Sequence, residues 1–336
     1  MKKSLPRLAA ALLAAFLAIA GQSRADEPVK LRVSYAVAPA QLTPILFVHP
    51  GLARHLGQSY TLEATRVVGS SVGLQMLAAN ELDLVAMTFN VLATAIQNAG
   101  MDDLRIVVDE IRDGVPGYET NHYMVLKDGP VKTITDLKGK VVAINGIGGG
   151  QDLFMRVMLR RHGLNYPSDF TIIESQFPNM KALLLDKRVD LVVEVKPFTQ
   201  DPVLQASARD LFTQRDAVGM TDFLFLMARS GFIAAHRAAL VDFFEDDLRA
   251  THWYMDPANH AEAVAIAANF TKIPADRLQW AFTHNDFYRD PKLHPNIASI
   301  QKNVDMLQQF GFIKSHIDVK SHADLSMIEE AARRLN

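Results

Sequence analysis

Leu82-Asp83-Leu84-Val85 follows a stretch with helical spacing and leads into Ala86-Met87-Thr88-Phe89-Asn90. The phrase returns 107 residues later, where Val189-Asp190-Leu191-Val192 leads into Val193-Glu194-Val195-Lys196-Pro197-Phe198. Its surroundings repeat as well. A β-rich run (31–37; 140–144) turns into an apolar-periodic helix and then a second β-rich run (60–68; 170–173). Another turn, a helix and the Asp strand complete each copy. Two copies of one β-α-β-α-β unit predict two parallel-sheet α/β lobes, because short loops around intervening helices permit only parallel pairing. Such lobes carry their ligand-facing loops at the carboxyl ends of their strands. A cleft between two lobes is a default small-molecule site.

Residues 1–25 read as a secretory leader. Lys2, Lys3 and Arg7 open it, 8–20 is an uncharged apolar run, and Ser23-Arg24-Ala25 supplies small residues at a cleavage site. The run is shorter than the roughly 20 residues of a spanning helix. The expected mature chain starts near Asp26, with 31 basic against 37 acidic residues and a net charge of about −6. That balance leaves no electrostatic footprint for nucleic acid or an anionic membrane. Cysteine is absent, which excludes disulfides, a thiolate metal site, a cysteine nucleophile and a lipid-anchored mature N-terminus. The expected location is therefore a Gram-negative periplasm, with the protein free in it.

The first lobe is expected to hold 26–118 and 225–336, the second 119–224. The run 105–108 reads as a further strand, 113–118 is turn-rich, 122–126 reads as a crossing strand and 223–227 as a return strand. Beyond Gly231 the spacing is helical at 234–252, 258–270, 276–280 and 296–310, punctuated by Pro257, Pro274, Pro291 and Pro295. With no strands left for a third sheet, these helices should pack on the first lobe, around Phe243, Phe244, Trp253 and Tyr254. Two crossings, near 114–123 and 215–226, would form a hinge.

Several phrases in order carry a family likeness: Leu31-Arg32-Val33-Ser34-Tyr35 and Leu77-Ala78-Ala79-Asn80-Glu81-Leu82-Asp83-Leu84 in the first half. Asp136-Leu137-Lys138-Gly139-Lys140-Val141-Val142, Leu159-Arg160-Arg161-His162-Gly163-Leu164 and Arg188-Val189-Asp190 follow in the second. Across 29–335 the chain resembles periplasmic solute-binding proteins of ABC transporters, in the nitrate/sulfonate/taurine group that shares its fold with thiamine-pyrimidine-precursor binders. The resemblance implies a periplasmic-binding-protein type II fold with a C-terminal helical segment on lobe 1. It implies a monomer that closes on one small solute and delivers it to an inner-membrane permease with its ATPase. It implies neither catalysis nor a cofactor.

The residues suggest where a solute would sit. Asn145-Gly146-Ile147-Gly148-Gly149-Gly150-Gln151 stands between a strand and a helix. Its glycines can turn N–H groups inward, and the helix N-terminus adds about half a positive charge. Asn145, Gly148, Gly149, Gly150 and Gln151 would thus make a nest for a sulfonate, carboxylate or phosphate, unless the loop is only a tight turn. No Arg or Lys stands in it, so the resemblance leaves the ligand open. Ser70 and Ser71 occupy the matching place in lobe 1, as ligand donors, as an N-cap or as both. Ala38 and Gln41 end the first strand; Thr88, Phe89 and Asn90 end the first Asp strand. Phe89, Phe177 and Phe198 can sandwich a solute, though buried aromatics are more often core. Glu194, inside an apolar run, needs a partner: a ligand ammonium, a structural Arg, or Lys196. Asp83 and Asp190 are expected to be structural, facing away from the cleft.

These features lead to a transporter-linked binding protein for a small organic anion or zwitterion, such as a sulfonate, a taurine-like molecule or an aromatic carboxylate. The alternatives are a pyrimidine-precursor binder, a periplasmic sensor, and an enzyme on the same fold.

Overall fold

The computed structural model describes residues 27–335, so the leader assigned to 1–25 lies outside them. Strands β1 (Val29–Tyr35), β2 (Tyr60–Arg66), β3 (Val85–Met87) and β4 (Leu104–Asp113) come from the first copy of the repeat and its extension. β5 (His122–Leu126), β6 (Val141–Ile144), β7 (Thr171–Glu174), β8 (Leu191–Glu194) and β9 (Ala208–Thr213) follow, and β10 (Thr221–Arg229) returns. Helices α1 (Ser70–Ala78) and α2 (Phe89–Ala99) alternate with the early strands. α3 (Gly150–Arg161), α4 (Phe177–Leu185), α5 (Pro202–Ser207) and α6 (Gln214–Val218) do so later.

Strand order runs β7-β6-β8-β5-β9 in one sheet. In the other, β1 pairs with β2 and β3-β10-β4 form a unit, joined to β1 by the parallel bridge Val33–Leu84. The two orders match, with β10 standing where β5 stands. Both of these strands run antiparallel to their neighbours. The sheets are therefore mixed and not wholly parallel, a correction to the repeat-based expectation. The repeat specifies only three strands of each sheet, and the crossing strands arrive from the other direction.

The repeated aspartate explains why the copies match. The Asp83 carboxylate accepts the Arg32 amide at 3.0 Å, and the Asp83 amide donates to the Arg32 carbonyl at 2.9 Å. Likewise the Asp190 carboxylate accepts the Val141 amide at 3.1 Å while its amide donates to the Val141 carbonyl at 2.8 Å. Each aspartate fixes the register of the first strand of its copy against the third, just before parallel pairing begins. Asp83 additionally takes the Arg32 guanidinium, at 2.9 and 2.6 Å.

Between the sheets, the crossing is polar. Burial disfavours charge on the His122 ring, but hydrogen bonds from its two nitrogens to Asp210 (3.0 Å) and Glu119 (2.7 Å) outweigh this and push its pKa up to about 10. Glu119 also pairs with Lys196 at 2.5 Å.

The remaining chain is helical: α7 (Ser230–Met255), α8 (His260–Thr271), α9 (Ile297–Gln309) and α10 (Ser326–Leu335). The stretch expected as a helix at 276–280 is a 3-10 turn, Ala275–Leu278, and α10 is one that spacing had not signalled. Asp246 pins α7 to the start of β2, accepting the Tyr60 hydroxyl at 2.8 Å and the Arg54 and His55 amides at 2.9 and 2.8 Å. Phe243, Phe244 and Tyr254 are buried there, as expected of the tail's core. The tail also touches the second sheet's helices, since Arg160 and Arg161 of α3 lie over Phe312 and Phe310, 4.6 and 5.5 Å from the ring centres. Among the described residues no helix is long and apolar enough to cross a membrane.

Two measurements probe this framework. Asp190→Ala should cost about 1 kcal/mol, the net worth of a half-buried hydrogen bond, and lower the urea midpoint accordingly. His122→Gln should lower the melting temperature most below pH 6.5, where the unfolded histidine is also charged. The deficit should shrink as pH rises towards 10, because a raised histidine pKa gives stability that is lost in that direction.

Candidate functional site

Strand ends β1, β2, β3, β6 and β8 converge on one cavity of about 50 Å³ between the sheets. Four of its lining residues begin helices: Ser70 is the first residue of α1, Thr88 precedes α2, Gln151 is second in α3, and Phe177 is first in α4. None of these four helices has a side chain capping its N-terminus. The first turn of a helix leaves amide protons without intrahelical acceptors and carries partial positive charge. Such ends around one space favour negative charge in it, with α3 already holding the Asp152 carboxylate in its own first turn. Among the described residues lining the cavity, no side chain is charged; they are amides, hydroxyls, aliphatics and the rings of Phe177, Phe223 and Phe287.

Much of the polar lining is already committed. Gln41 accepts the Ala36 amide at 2.6 Å and donates to Glu110 at 3.1 Å, so it braces the loop after β1. Burial raises Glu110 to about 7, partly offset by this bond and by the Thr43 hydroxyl. Gln151 donates to Asn121 at 3.3 Å, and Asn121 in turn donates to buried Asp113. Asn145 donates weakly to the Val68 carbonyl at 3.4 Å, while its buried carbonyl oxygen has no hydrogen-bond partner. The Ser70 hydroxyl has no partner among the described residues either. Ser70 and Asn145 therefore remain available, one from each side.

The two halves touch beside the cavity. Asn90, aligned by the Thr88 hydroxyl at 2.7 Å, donates to the Gly148 carbonyl at 2.7 Å. Gly150 packs so closely that an added Cβ would sit 2.8 Å from Thr88 and 3.1 Å from Phe223.

Of the residues singled out in the sequence, Gln41, Ser70, Thr88, Asn145, Gln151 and Phe177 line this cavity. Ala38 lies in the loop between lining residues, and Ser71 is half-buried beside Ser70. Phe89 does not face the cavity; it is fully buried and packs on Phe154 at 5.9 Å between ring centres. Asn90 acts as a bridge between the halves. The glycine nest is corrected most. The Ile147 amide donates to Glu174 at 2.5 Å, Gly148 to Asp152 at 2.8 Å, and Gly149 to the Gly146 carbonyl at 3.2 Å. The chain's own carboxylates fill the nest, leaving Gly148, Gly149 and Gly150 as a turn and a close-packed helix start. Glu194 and Phe198 line a neighbouring pocket instead. Asn121 and Phe287 were missed: one sits in irregular chain just before β5, the other in an aperiodic tail segment. Lys196, weighed as a partner of Glu194, is engaged by Glu119 and lies 5.3 Å from the Trp280 ring centre.

Residues 24–268 match the model of the NMT1-like family. The chain belongs to that family. A search of curated proteins by sequence gave no match. Solved structures share the fold over nearly the whole length. The alkanesulfonate-binding protein SsuA from Xanthomonas axonopodis pv. citri, bound to MOPS, aligns over 90% of this chain and 100% of its own, with 18% identity and a TM-score of 0.69. The periplasmic nitrate-binding protein NrtA from Synechocystis PCC 6803 aligns over 92% and 90%, with 14% identity and a TM-score of 0.70. The desulfurization enzyme DSZB aligns over 92% and 100%, with 10% identity and a TM-score of 0.62. The fold of this NMT1-like chain is therefore the two-sheet periplasmic-binding-protein fold, which also serves an enzyme.

Gly150→Ala tests the contact between the halves. Overpacking there should cost about 1–3 kcal/mol, borne by the contact between the two halves. The variant should show a larger radius of gyration by small-angle scattering and retain its far-ultraviolet dichroism.

Proposed function

We propose that this NMT1-like protein is the periplasmic solute-binding component of an ABC importer. Its ligand would be a small anion, a sulfonate or carboxylate, held between lobes formed by 26–118 with 225–336 and by 119–224. The observation that carries the reading is the meeting of four uncapped helix N-termini on one uncharged cavity. Anions are stabilised at such ends, and withdrawal from water strengthens the attraction. Ser70 and Asn145 supply uncommitted polar groups from opposite sides, so ligand and Asn90 together would hold the lobes closed. The cavity has room for a few water-sized groups, at roughly 10–15 Å³ each. A short sulfonate, small carboxylate or nitrate-sized anion suits it better than an aromatic carboxylate. The named neighbours that bind an alkanesulfonate and nitrate lend support of the same kind.

The lining argues against the enzyme reading, because it offers no histidine, carboxylate or cysteine to act as base or nucleophile. A permease and an ATPase would be the partners, with the leader directing export.

A thermal-shift panel of short alkanesulfonates, taurine, acetate, nitrate and a pyrimidine tests the proposal. The fitting anion should raise the melting temperature with the logarithm of its concentration, by roughly 5 °C at a hundred times its Kd. No anion shifting it at millimolar concentration sinks the reading, and a shift by the pyrimidine alone moves it to the precursor-binding alternative.

A further inference from the structure

Glu194 ends β8 completely buried, and among the described residues neither of its carboxyl oxygens has a hydrogen-bond partner. The Val195 amide is near it but outside hydrogen-bonding geometry. The two lysines nearest in the chain are spent elsewhere, Lys196 on Glu119 and Lys181 on Asp201 at 2.6 Å, while Arg277 stands exposed at the far wall of the pocket. A buried carboxyl without a partner is costly, and such groups concentrate where a ligand supplies what the chain does not. Glu194 does not face a packed core. It lines a pocket of about 290 Å³, walled by Phe177, Pro178, Pro197 and Phe198 and closed on the tail side by Ile273 and Arg277. The Phe177 and Phe198 rings lie 15° from parallel with centres 6.1 Å apart. Their electron-rich faces add to any attraction for positive charge. Only Phe177 is shared with the anion cavity.

We infer that this pocket is a second binding site, taking an organic ammonium ion with Glu194 as its counter-ion and the Phe177–Phe198 pair against its apolar body. Burial holds the free Glu194 carboxyl protonated, with its pKa pushed up to about 9. The other charged groups facing the pocket are Lys181, Asp201 and Arg277. An incoming ammonium ion therefore has to displace the Glu194 proton into solvent. Walls from the second sheet's half and from the tail mean that the pocket is complete only when the two are together.

Calorimetry with phenethylamine, 2-phenylethanol and 3-phenylpropionate tests the inference. The amine should bind wild-type protein at least about tenfold tighter than the alcohol, the worth of one charge-assisted contact. At pH 7 its binding heat should vary with the buffer's ionisation enthalpy by close to one proton released. Glu194→Gln should abolish both the preference and the release. Should that variant fail to fold, wild-type affinity for the amine decides. It should climb about tenfold per pH unit between pH 6 and 8 while the amine, with a pKa near 10, stays charged. Equal binding of amine and alcohol, no proton release, a flat pH profile, or no binding of the amine at about 10 mM overturns the inference. None of these outcomes touches the anion proposal, which the thermal panel reads in a different cavity.

Discussion

Two side-chain carboxylates, Asp83 and Asp190, hold the architecture to its register. In a parallel pair, a slip of one residue would turn every side chain of the strand to the opposite face. Each aspartate receives the amide of the opposing strand and returns its own amide to that strand's carbonyl, so the slipped pairing would lose both bonds. Everything that faces the cavity from β3 and β8, including Thr88 and Val195, depends on those strands ending where they do. Helices α1 to α4 then follow, because each starts at the carboxyl end of a strand and brings its N-terminus to the same place.

Charge is distributed unevenly around this frame. The cavity is lined by neutral groups, while ionised and ionisable ones stand one layer back. Glu110 lies behind Gln41, Asp113 behind Asn121, and the Glu119–His122–Asp210 group lies at the crossing. Helix dipoles differ from charged side chains in needing no counter-ion when the site is empty and no rotamer ordering when it fills. A neutral lining also avoids the cost of burying an unpaired Arg or Lys, which is several kcal/mol.

The repeat made the scaffold readable, because periodicity and a marked aspartate are local signals. β5 coincided with its expected run, 122–126, and most other strands and long helices fell within a few residues of theirs. The antiparallel insertion of β5 and β10 was not readable, since it is set by where the chain crosses and not by any pattern within the strands. For the site, strand-end logic located Gln41, Ser70, Thr88, Asn145, Gln151 and Phe177. The same logic overvalued glycine: a Gly-rich loop announces freedom of its amides, but not that Glu174 and Asp152 arrive from elsewhere to claim them. Phe287 lies far along the chain in an irregular segment, where no period marks a face.

The placing of β10 also bears on how the molecule is made. The second sheet is contiguous, using only residues 122–213, so all its strands are at hand once that stretch has emerged. The first sheet has a vacancy between β3 and β4 that only residues 221–229 can fill. Until then its central hydrogen bonds have no partner, and residues 29–113 hold β2-β1-β3 and β4 without the strand that joins them. The half made first is thus finished last, so its central pairing waits on the most sequence-distant contact in either sheet.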